Sequence, residues 1–310
     1  MKKQIKLYLL TGFLGAGKTT FLMKVLEELK DQKVAVIMNE FGKVGIDGEI
    51  IRKDDLKLVE INRGSIFCSC LELSFVSALL EMVEQDMDYV FVESSGLADP
   101  SNIGEFLRLV EKRKGQVYDY SGAICIVDGV QFPEQLIEIE TVERQLRFCH
   151  LVILTKTDLI SKQQKEDVIL KIKQVNSKVD IIESENGVYK KSFLDENLMA
   201  STWVETEDTT NTPENKPKTL TLTFDSPVSQ DDFTKFLKVF QKDIYRMKGF
   251  INFETGWKQV DVVGSIIDFK DSEEKAQGSH FVIISKVGFQ IVKPIFAAWE
   301  ETFNIPMKLR

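Results

Sequence analysis

The chain is poor in side chains that bind soft metal ions, with four cysteines and two histidines among 310 residues. So few ligands exclude a protein with several zinc sites and a histidine-rich metal store. Long apolar runs are also missing, because no stretch approaches the roughly 18 apolar residues that a membrane-spanning helix needs. The first ten residues lack the apolar core and cleavage site of a signal peptide. We therefore expect reduced cysteines, a cytoplasmic protein and no membrane partner.

An excess of basic charge is missing as well. Acidic residues outnumber basic residues 48 to 40, and the net charge is −8. This balance argues against a nucleic-acid footprint over the surface, so no nucleic-acid partner is expected. The hydrophobic share of 43% and the charged share of 28% are ordinary for a globular protein. At about 150 residues per domain, the length predicts two domains.

The first 200 residues alternate short runs rich in Val and Ile with longer amphipathic stretches. This alternation predicts an α/β domain with a mostly parallel sheet covered by helices on both faces. The predicted strands are 5–10, 33–38, 88–92, 123–127, 151–154 and 179–182. The predicted helices are 18–30, 73–85, 103–114 and 162–176.

Residues 201–218 differ in composition from the rest, being rich in Thr, Glu, Asp, Asn and Pro. We interpret them as an exposed linker between a P-loop domain, residues 1–200, and a smaller domain, residues 219–310. The smaller domain begins with an alternating strand and a helix with one aromatic face, and it ends with another helix. Further strand-like runs between the helices predict an α+β fold. These runs are 251–254, 259–263, 266–269 and 281–285.

A glycine-rich segment follows the first predicted strand and opens the first predicted helix. It reads Gly-Phe-Leu-Gly-Ala-Gly-Lys-Thr-Thr, the phosphate-binding P-loop pattern in its required context. Lys18 is predicted to reach the β- and γ-phosphates, and the Thr19 hydroxyl to bind Mg²⁺. The alternative is a glycine-rich turn with a chance lysine, which the strand–loop–helix context disfavours. The predicted nucleotide-binding positions are Gly12, Gly15, Ala16, Gly17, Lys18, Thr19 and Thr20.

A second acidic element supports a nucleotide site. The predicted strand 88–92 is followed by Glu-Ser-Ser-Gly. An acidic residue at the carboxyl end of a strand near a P-loop can hold water on Mg²⁺ or orient the attacking water, so Glu93 is a candidate catalytic residue. The backbone N–H of Gly96 is placed to sense the γ-phosphate. The alternative for Glu93 is a surface residue that merely ends a strand.

The base is indicated by Thr-Lys-Thr-Asp at positions 155–158, directly after a predicted strand. This segment is similar to the Asn-Lys-x-Asp element of GTPases, with Thr155 in the first position. The Asp158 carboxylate would accept hydrogen bonds from guanine N1–H and the exocyclic amino group, which adenine cannot supply. The Lys156 stem would pack over the base. The alternatives are an ordinary loop with Asp158 as a helix cap, and an ATPase or kinase.

Together these motifs resemble the CobW-type family of P-loop GTPases, which includes cobalamin-synthesis proteins, zinc metallochaperones and nitrile hydratase activators. The resemblance implies a Mg²⁺-dependent GTPase that binds GTP and GDP. Its turnover is expected to be slow, because no arginine finger is evident in the sequence. Asp47 is a second, weaker catalytic candidate, since it lies in the segment expected to form a switch loop. Further matching segments are Asn-Glu-Phe-Gly at 39–42, Gly-Ile-Asp-Gly at 45–48, Leu-Ala-Asp-Pro at 97–100 and Arg-Met-Lys-Gly-Phe at 246–250.

The resemblance is weakest at the family's metal site, a Cys-x-Cys-Cys motif preceded by Gly. Here residues 63–70 read Arg-Gly-Ser-Ile-Phe-Cys-Ser-Cys, so only Cys68 coincides and Cys70 lies two residues further on. With Glu40 as a third ligand, this pair is a candidate site for Zn²⁺ or Co²⁺, although a tetrahedral zinc site requires three or four protein ligands. The alternative is that Cys68 is a small core residue and Cys70 begins a helix. Cys125 and Cys149 are predicted to be core residues.

Two functions follow from the resemblance. The first is a GTP-driven metallochaperone or metallocofactor-insertion switch that serves a client metalloenzyme or corrinoid protein. The second is a GTP-dependent assembly factor for a corrinoid or nitrile-hydratase-like client, with no metal cargo of its own. Because only part of the family's cysteine motif is present, this sequence favours the second function more than the resemblance to the family alone does. A homodimer is compatible with both.

Overall fold

The computed structural model describes residues 3–40, 56–62, 72–185, 188–189, 193–194, 196, 198–201, 217–272 and 278–310. The chain divides into two compact units, Met1–Asn215 and Lys216–Arg310. The predicted linker lies almost wholly outside the described residues, so its limits stay a prediction. Among the helices in the described ranges, none has the length and apolar character to cross a membrane.

The first unit is built on an eight-stranded sheet. Its strands are β1 (Ile5–Thr11), β2 (Val34–Glu40), β3 (Leu56–Asn62), β4 (Tyr89–Glu93), β5 (Tyr118–Asp128), β6 (Leu151–Thr155), β7 (Asp180–Glu185) and β8 (Val188–Tyr189). The order across the sheet is β3-β2-β4-β1-β5-β6-β7-β8. The neighbouring pairs from β3 to β7 are parallel, and β8 joins β7 antiparallel. The predicted α/β class with a mostly parallel sheet is confirmed.

Helices connect the parallel strands. They are α1 (Lys18–Glu28), α2 (Glu72–Glu84), α3 (Ile103–Lys114), α4 (Phe132–Glu138), α5 (Glu140–Arg147) and α6 (Lys162–Val175). Strands β3 and β8 and helices α4 and α5 were not predicted from the sequence. Helices α4 and α5 have only seven and eight residues, and Ile139 between them is extended. Such short helices give too few turns for an apolar period to be recognised.

Apolar burial on both faces of the central strands stabilises this unit. All five residues of β6 are buried, as expected for an inner parallel strand. The Tyr8 and Phe91 rings stack with their centroids 5.4 Å apart in the same core. Cys125 and Cys149 are buried with free thiols, as predicted, and burial raises the pKa of the Cys149 thiol. These two cysteines are therefore packing residues.

Among its described residues, the second unit contains a six-stranded sheet and two α-helices. Its elements are β9 (Lys218–Phe224), α7 (Gln230–Phe240), β10 (Ile244–Phe253), β11 (Gly256–Val263), β12 (Ile266–Asp271), β13 (Ser279–Ser285), α8 (Val292–Thr302) and β14 (Lys308–Leu309). The strand order is β12-β11-β10-β13-β9-β14, with antiparallel pairs throughout. The aromatic face predicted for α7 is buried in the core. The predicted α+β class of this unit is confirmed.

Strand β10 is longer than the predicted run 251–254 and includes the Arg-Met-Lys-Gly-Phe segment at 246–250. A Cβ on Gly249 would lie 2.2 Å from the carbonyl oxygen of His280 in β13, so only glycine fits there. Arg246 forms a two-pronged ion pair with Asp261 of β11, with N–O distances of 2.9 and 2.7 Å. The segment 246–250 thus lies in an inner strand, hydrogen-bonded to β11 on one side and to β13 on the other.

His150 is a buried histidine that immediately precedes β6. It is 7% exposed, and its Nδ1 accepts a hydrogen bond from the Ala123 N–H at 3.0 Å. Burial lowers the pKa of His150 from 6.5 to about 4. The unfolded chain therefore takes up a proton here at a higher pH than the folded chain does. The stability that the neutral ring contributes is complete above pH 6.5 and is lost as the pH falls toward 4.

We predict that His150→Gln makes the fall in stability toward acid pH less steep, because glutamine accepts the same hydrogen bond but does not titrate. Between pH 7 and 4.5 the wild-type protein should lose about 2 kcal/mol more unfolding free energy than the variant. Urea unfolding of both proteins at both pH values measures this difference. Parallel pH dependences would show that His150 is not the responsible group.

Candidate nucleotide site

The loop between β1 and α1 has the backbone that a P-loop requires. Gly12, Gly15 and Gly17 have φ angles of 129°, 76° and 99°, which favour glycine. A Cβ on Gly12 would lie 2.2 Å from the carbonyl oxygen of Ile126 in β5. Because the first N–H groups of a helix have no intrahelical acceptor, the start of α1 is a site for an anion. The sequence pattern and the local backbone agree on a phosphate site.

Lys18 lies folded over this loop. Its side chain is buried, and Nζ donates hydrogen bonds to the carbonyl oxygens of Gly12 at 2.8 Å and Phe13 at 3.2 Å. The loop backbone therefore holds the ammonium group beside the start of α1. A P-loop lysine acts from this position on the β- and γ-phosphates. Thr20, also predicted to bind nucleotide, is exposed in the first turn of the helix.

Thr19 and Glu93 meet at the carboxyl edge of the sheet. The Thr19 hydroxyl donates a hydrogen bond to Glu93 Oε1 at 3.1 Å, although 74 residues separate them in sequence. Glu93 ends β4 and is 7% exposed, so it is not the surface residue of the alternative interpretation. Hydroxyl and carboxylate oxygens are the hard ligands that Mg²⁺ prefers. These two side chains fit a Mg²⁺ ion bound directly by Thr19, with water linking it to Glu93.

The loop after β4 packs against the P-loop. A Cβ on Gly96 would lie 2.6 Å from the backbone N of Leu14, so the close approach requires glycine. The loop is folded on itself, because the Ala98 N–H donates to the Ser95 carbonyl oxygen at 2.9 Å. Within it, the Ser101 N–H donates to Asp99 Oδ1 at 3.0 Å. The predicted γ-phosphate residue is therefore held in contact with the P-loop backbone.

The loop after β6 is also tied to the P-loop. Thr155 Oγ1 lies within hydrogen-bond distance of the carbonyl oxygens of Ala16, at 2.9 Å, and Val127, at 3.1 Å. Lys156, at a φ of 57°, donates from Nζ to the Gly15 carbonyl oxygen at 3.3 Å. A threonine in place of the GTPase asparagine thus still contacts the P-loop. Asp158 is exposed in the 3₁₀ turn Thr157–Leu159 that follows.

The sequence matches known families in both units. Residues 6–183, more than half of the chain, match the nucleotide-binding domain of CobW/HypB/UreG. The chain belongs to the CobW/HypB/UreG family. Residues 218–298 match the cobalamin synthesis protein CobW C-terminal domain. The resemblance inferred from the motifs is confirmed in both parts of the chain.

Curated members of the family cover part of this chain. The zinc chaperone YjiA of Escherichia coli (strain K12) is 34% identical over 167 residues, which are 52% of each chain. The zinc-regulated GTPase metalloprotein activator 1 of Dictyostelium discoideum is 28% identical over 222 residues, which are 60% of this chain and 47% of that protein. The chain spans about half the length of these relatives. A crystal structure of zinc-bound YjiA GTPase aligns over 97% of this chain and 99% of its own, at 22% identity and a TM-score of 0.48.

Asp128 contacts the candidate site residue Lys156 but was not predicted from the sequence. It ends β5, is 2% exposed, and accepts a hydrogen bond from Lys156 Nζ at Oδ2 over 2.6 Å. Its Oδ1 accepts from the backbone N–H groups of Val130 at 2.9 Å and Gln131 at 3.3 Å. The carboxylate therefore fixes Lys156, whose stem is predicted to pack over the base. The sequence contains one signal for Asp128: like Glu93, it directly follows a predicted buried strand.

The predicted transition-metal ligands are not tested by the structure. Cys68, Cys70 and the catalytic candidate Asp47 lie outside the described residues, and the Glu40 side chain does as well. In the ranges that are described, no three His, Cys, Asp or Glu side chains come together as a metal site would require. The metal site stays a prediction.

We predict that Thr155→Val lowers the affinity for GDP about tenfold, because the isosteric valine cannot bond to the Ala16 carbonyl oxygen. Thr155→Ser keeps the hydroxyl and should restore the affinity to within about twofold of the wild-type value. Fluorescence titration with a labelled GDP measures both variants. Equal affinities for the valine and serine variants would show that this hydroxyl does not support the nucleotide site.

Proposed function

We propose that the chain binds GTP with Mg²⁺, hydrolyses it slowly, and uses the cycle to deliver a metal ion to a client protein in the cytoplasm. The observation that carries the proposal is the Thr19–Glu93 hydrogen bond of 3.1 Å beside the buried Lys18 of the P-loop. A hydroxyl, a carboxylate and an ammonium group thus lie together at the carboxyl edge of the sheet. Phosphoryl transfer in P-loop proteins uses these three kinds of group. The names of the relatives, a zinc chaperone and a zinc-regulated GTPase, support zinc as the cargo.

The proposed roles follow from the chemistry of each side chain. Lys18 stabilises negative charge on the β- and γ-phosphates, and the Gly96 N–H contacts the γ-phosphate. Glu93 orients water, with Asp47 as the second candidate for this role. A bound Mg²⁺ neutralises phosphate charge. The assigned residues include no arginine, the group that accelerates such reactions by about 10³ to 10⁵, so slow turnover is expected.

Base selectivity provides the sharpest test of the GTP assignment. In Asp158→Asn, the amide oxygen still accepts from the N1–H of the base, but the NH₂ group now faces the exocyclic amino group of guanine. Xanthine has a carbonyl oxygen at that position, so the variant should prefer XTP over GTP, whereas the wild-type protein should prefer GTP. The preference should change by roughly two orders of magnitude in total, since two hydrogen bonds are exchanged.

Competition of GTP, XTP and ATP against a labelled nucleotide measures this preference for both proteins. Asp167→Asn is the matched control, because Asp167 is an exposed aspartate of α6 that bonds to the Gln163 side chain. It should keep the wild-type preference. ATP binding equal to GTP binding in the wild-type protein would overturn the guanine assignment and favour the ATPase or kinase alternative.

The zinc cargo is proposed to bind at Cys68 and Cys70, with Glu40 as a third ligand. Two thiolates and a carboxylate leave one position open for an exchange partner, which suits transfer better than storage. The alternative, an activator without metal cargo, is favoured by the loss of two family cysteines from the motif. Both versions keep the nucleotide chemistry unchanged, and the client would be a metalloenzyme or a corrinoid protein. A homodimer stays a prediction in both.

We predict that reduced wild-type protein binds Co²⁺ with the intense absorption of thiolate coordination, and that zinc displaces it. Cys68→Ser with Cys70→Ser should abolish this absorption, because the remaining Cys125 and Cys149 are buried packing residues. Titration of both proteins with GDP and with a non-hydrolysable GTP analogue then shows whether the nucleotide state changes metal affinity. Equal, weak binding by both proteins would favour the activator without cargo.

A further inference from the structure

Helix α5 contacts the loop after Glu93 through two consecutive side chains. Gln145 Nε2 donates hydrogen bonds to the carbonyl oxygens of Gly96 at 3.2 Å and Ala98 at 3.1 Å. Arg144 Nε donates to Asp99 Oδ2 at 2.7 Å, and its Nη2 lies 3.4 Å from Ser101 Oγ. Four polar contacts therefore join a short helix to the loop that carries Gly96, the residue predicted to sense the γ-phosphate.

These contacts are shielded from water. Gln145 is 1% exposed and Asp99 is fully buried, while the Arg144 side chain is 12% exposed. Hydrogen bonds in such surroundings are geometrically strict, because breaking one leaves a buried polar group unsatisfied. The loop is thus held in one arrangement, and small displacements of its backbone are penalised.

Packing alone does not explain a glutamine at position 145. Its Oε1 is buried and has no hydrogen-bond partner among the residues that the structure describes. A leucine of similar size would fill this position without a buried, unsatisfied acceptor. The benefit of glutamine therefore lies in the two loop carbonyl groups that its Nε2 holds.

The backbone of Gly96 is in contact with two elements, helix α5 and the P-loop. Gln145 binds the carbonyl oxygen of Gly96, and on the other side the Leu14 backbone comes so close that Gly96 has no room for a Cβ. The Gly96 backbone therefore contacts both α5 and the P-loop. The N–H of the same residue, in the preceding peptide group, is the group proposed to meet the γ-phosphate, which GTP has and GDP lacks.

We propose that Gln145, supported by Arg144, is a positioning residue that holds the Gly96 backbone in the arrangement that recognises the γ-phosphate. The inference rests on the proposed GTPase function. Since GDP does not reach this group, loss of Gln145 weakens binding of a GTP analogue and lowers kcat but leaves GDP affinity unchanged. A purely structural role would instead lower protein stability and weaken both nucleotides alike.

The test compares Gln145→Leu with a matched control, Gln135→Leu. Gln135 is likewise a buried glutamine on a short helix, α4, and its Nε2 bonds to the Gln131 side chain. In Gln145→Leu the affinity for a non-hydrolysable GTP analogue and kcat should each fall about tenfold, with GDP affinity within about twofold of wild type. Gln135→Leu should behave as wild type in all three measurements.

Hydrogen exchange without nucleotide provides a readout that does not depend on activity. Amides of the peptide 94–102 should exchange faster in Gln145→Leu than in the wild-type protein or in Gln135→Leu, while P-loop amides stay unchanged. Equal exchange in all three proteins, or equal weakening of GDP and the GTP analogue, would overturn the inference. A wild-type protein that binds no GTP would refute the proposed function itself, and faster exchange would still show that Gln145 holds the loop.

Discussion

The nucleotide site depends on the parallel pairing of β1 with β4 and β5. In this register Leu10 lies opposite Glu93, and Thr11 lies opposite Cys125. Because parallel strands carry their carboxyl ends to one edge of the sheet, the P-loop, Glu93 and Asp128 emerge side by side. The pairing also brings the chain after Thr11 so close to β5 that position 12 has no room for a Cβ. Gly12 of the motif is thus required by packing before any phosphate is bound.

Polar contacts then join the loops that the sheet has assembled. The P-loop is tied to β4 by the Thr19–Glu93 bond and to the β6 loop by Thr155 and Lys156. Helix α5 in turn holds the loop that follows β4 through Gln145. Each net hydrogen bond is worth only about 1 kcal/mol, but breaking a buried one costs more. The loops around the site therefore position one another, and a displacement of one loop strains its hydrogen bonds to the neighbouring loops.

Much of this site was predictable because its motifs have fixed spacing and sit between strong strand and helix signals. The P-loop, Glu93, Gly96 and Asp158 were predicted as candidate site residues in this way, and runs of Val and Ile predicted the sheet. Helix α5 was not, since eight residues are too few to show a period. Its Gln145 resembles a solvent-facing residue in sequence, and its loop partners lie 47 and 49 residues away. Local patterns do not encode contacts between segments so far apart.

Sheet topology also bears on how the proposed nucleotide site and the proposed metal site of this chain are connected. Strand β3 ends at Asn62, which lies opposite Glu40 at the end of β2, and Met38 of β2 lies opposite Glu93. With neighbouring strands about 4.8 Å apart, the end of β3 is roughly 10 Å from β4 across the sheet. The chain therefore enters the segment 63–71, with both proposed thiolate ligands, from the same edge that carries the Mg²⁺ candidates. Only β2 lies between Glu93 at the end of β4 and the end of β3, where that segment starts. A displacement of Glu93 would therefore be transmitted to the segment through a single strand.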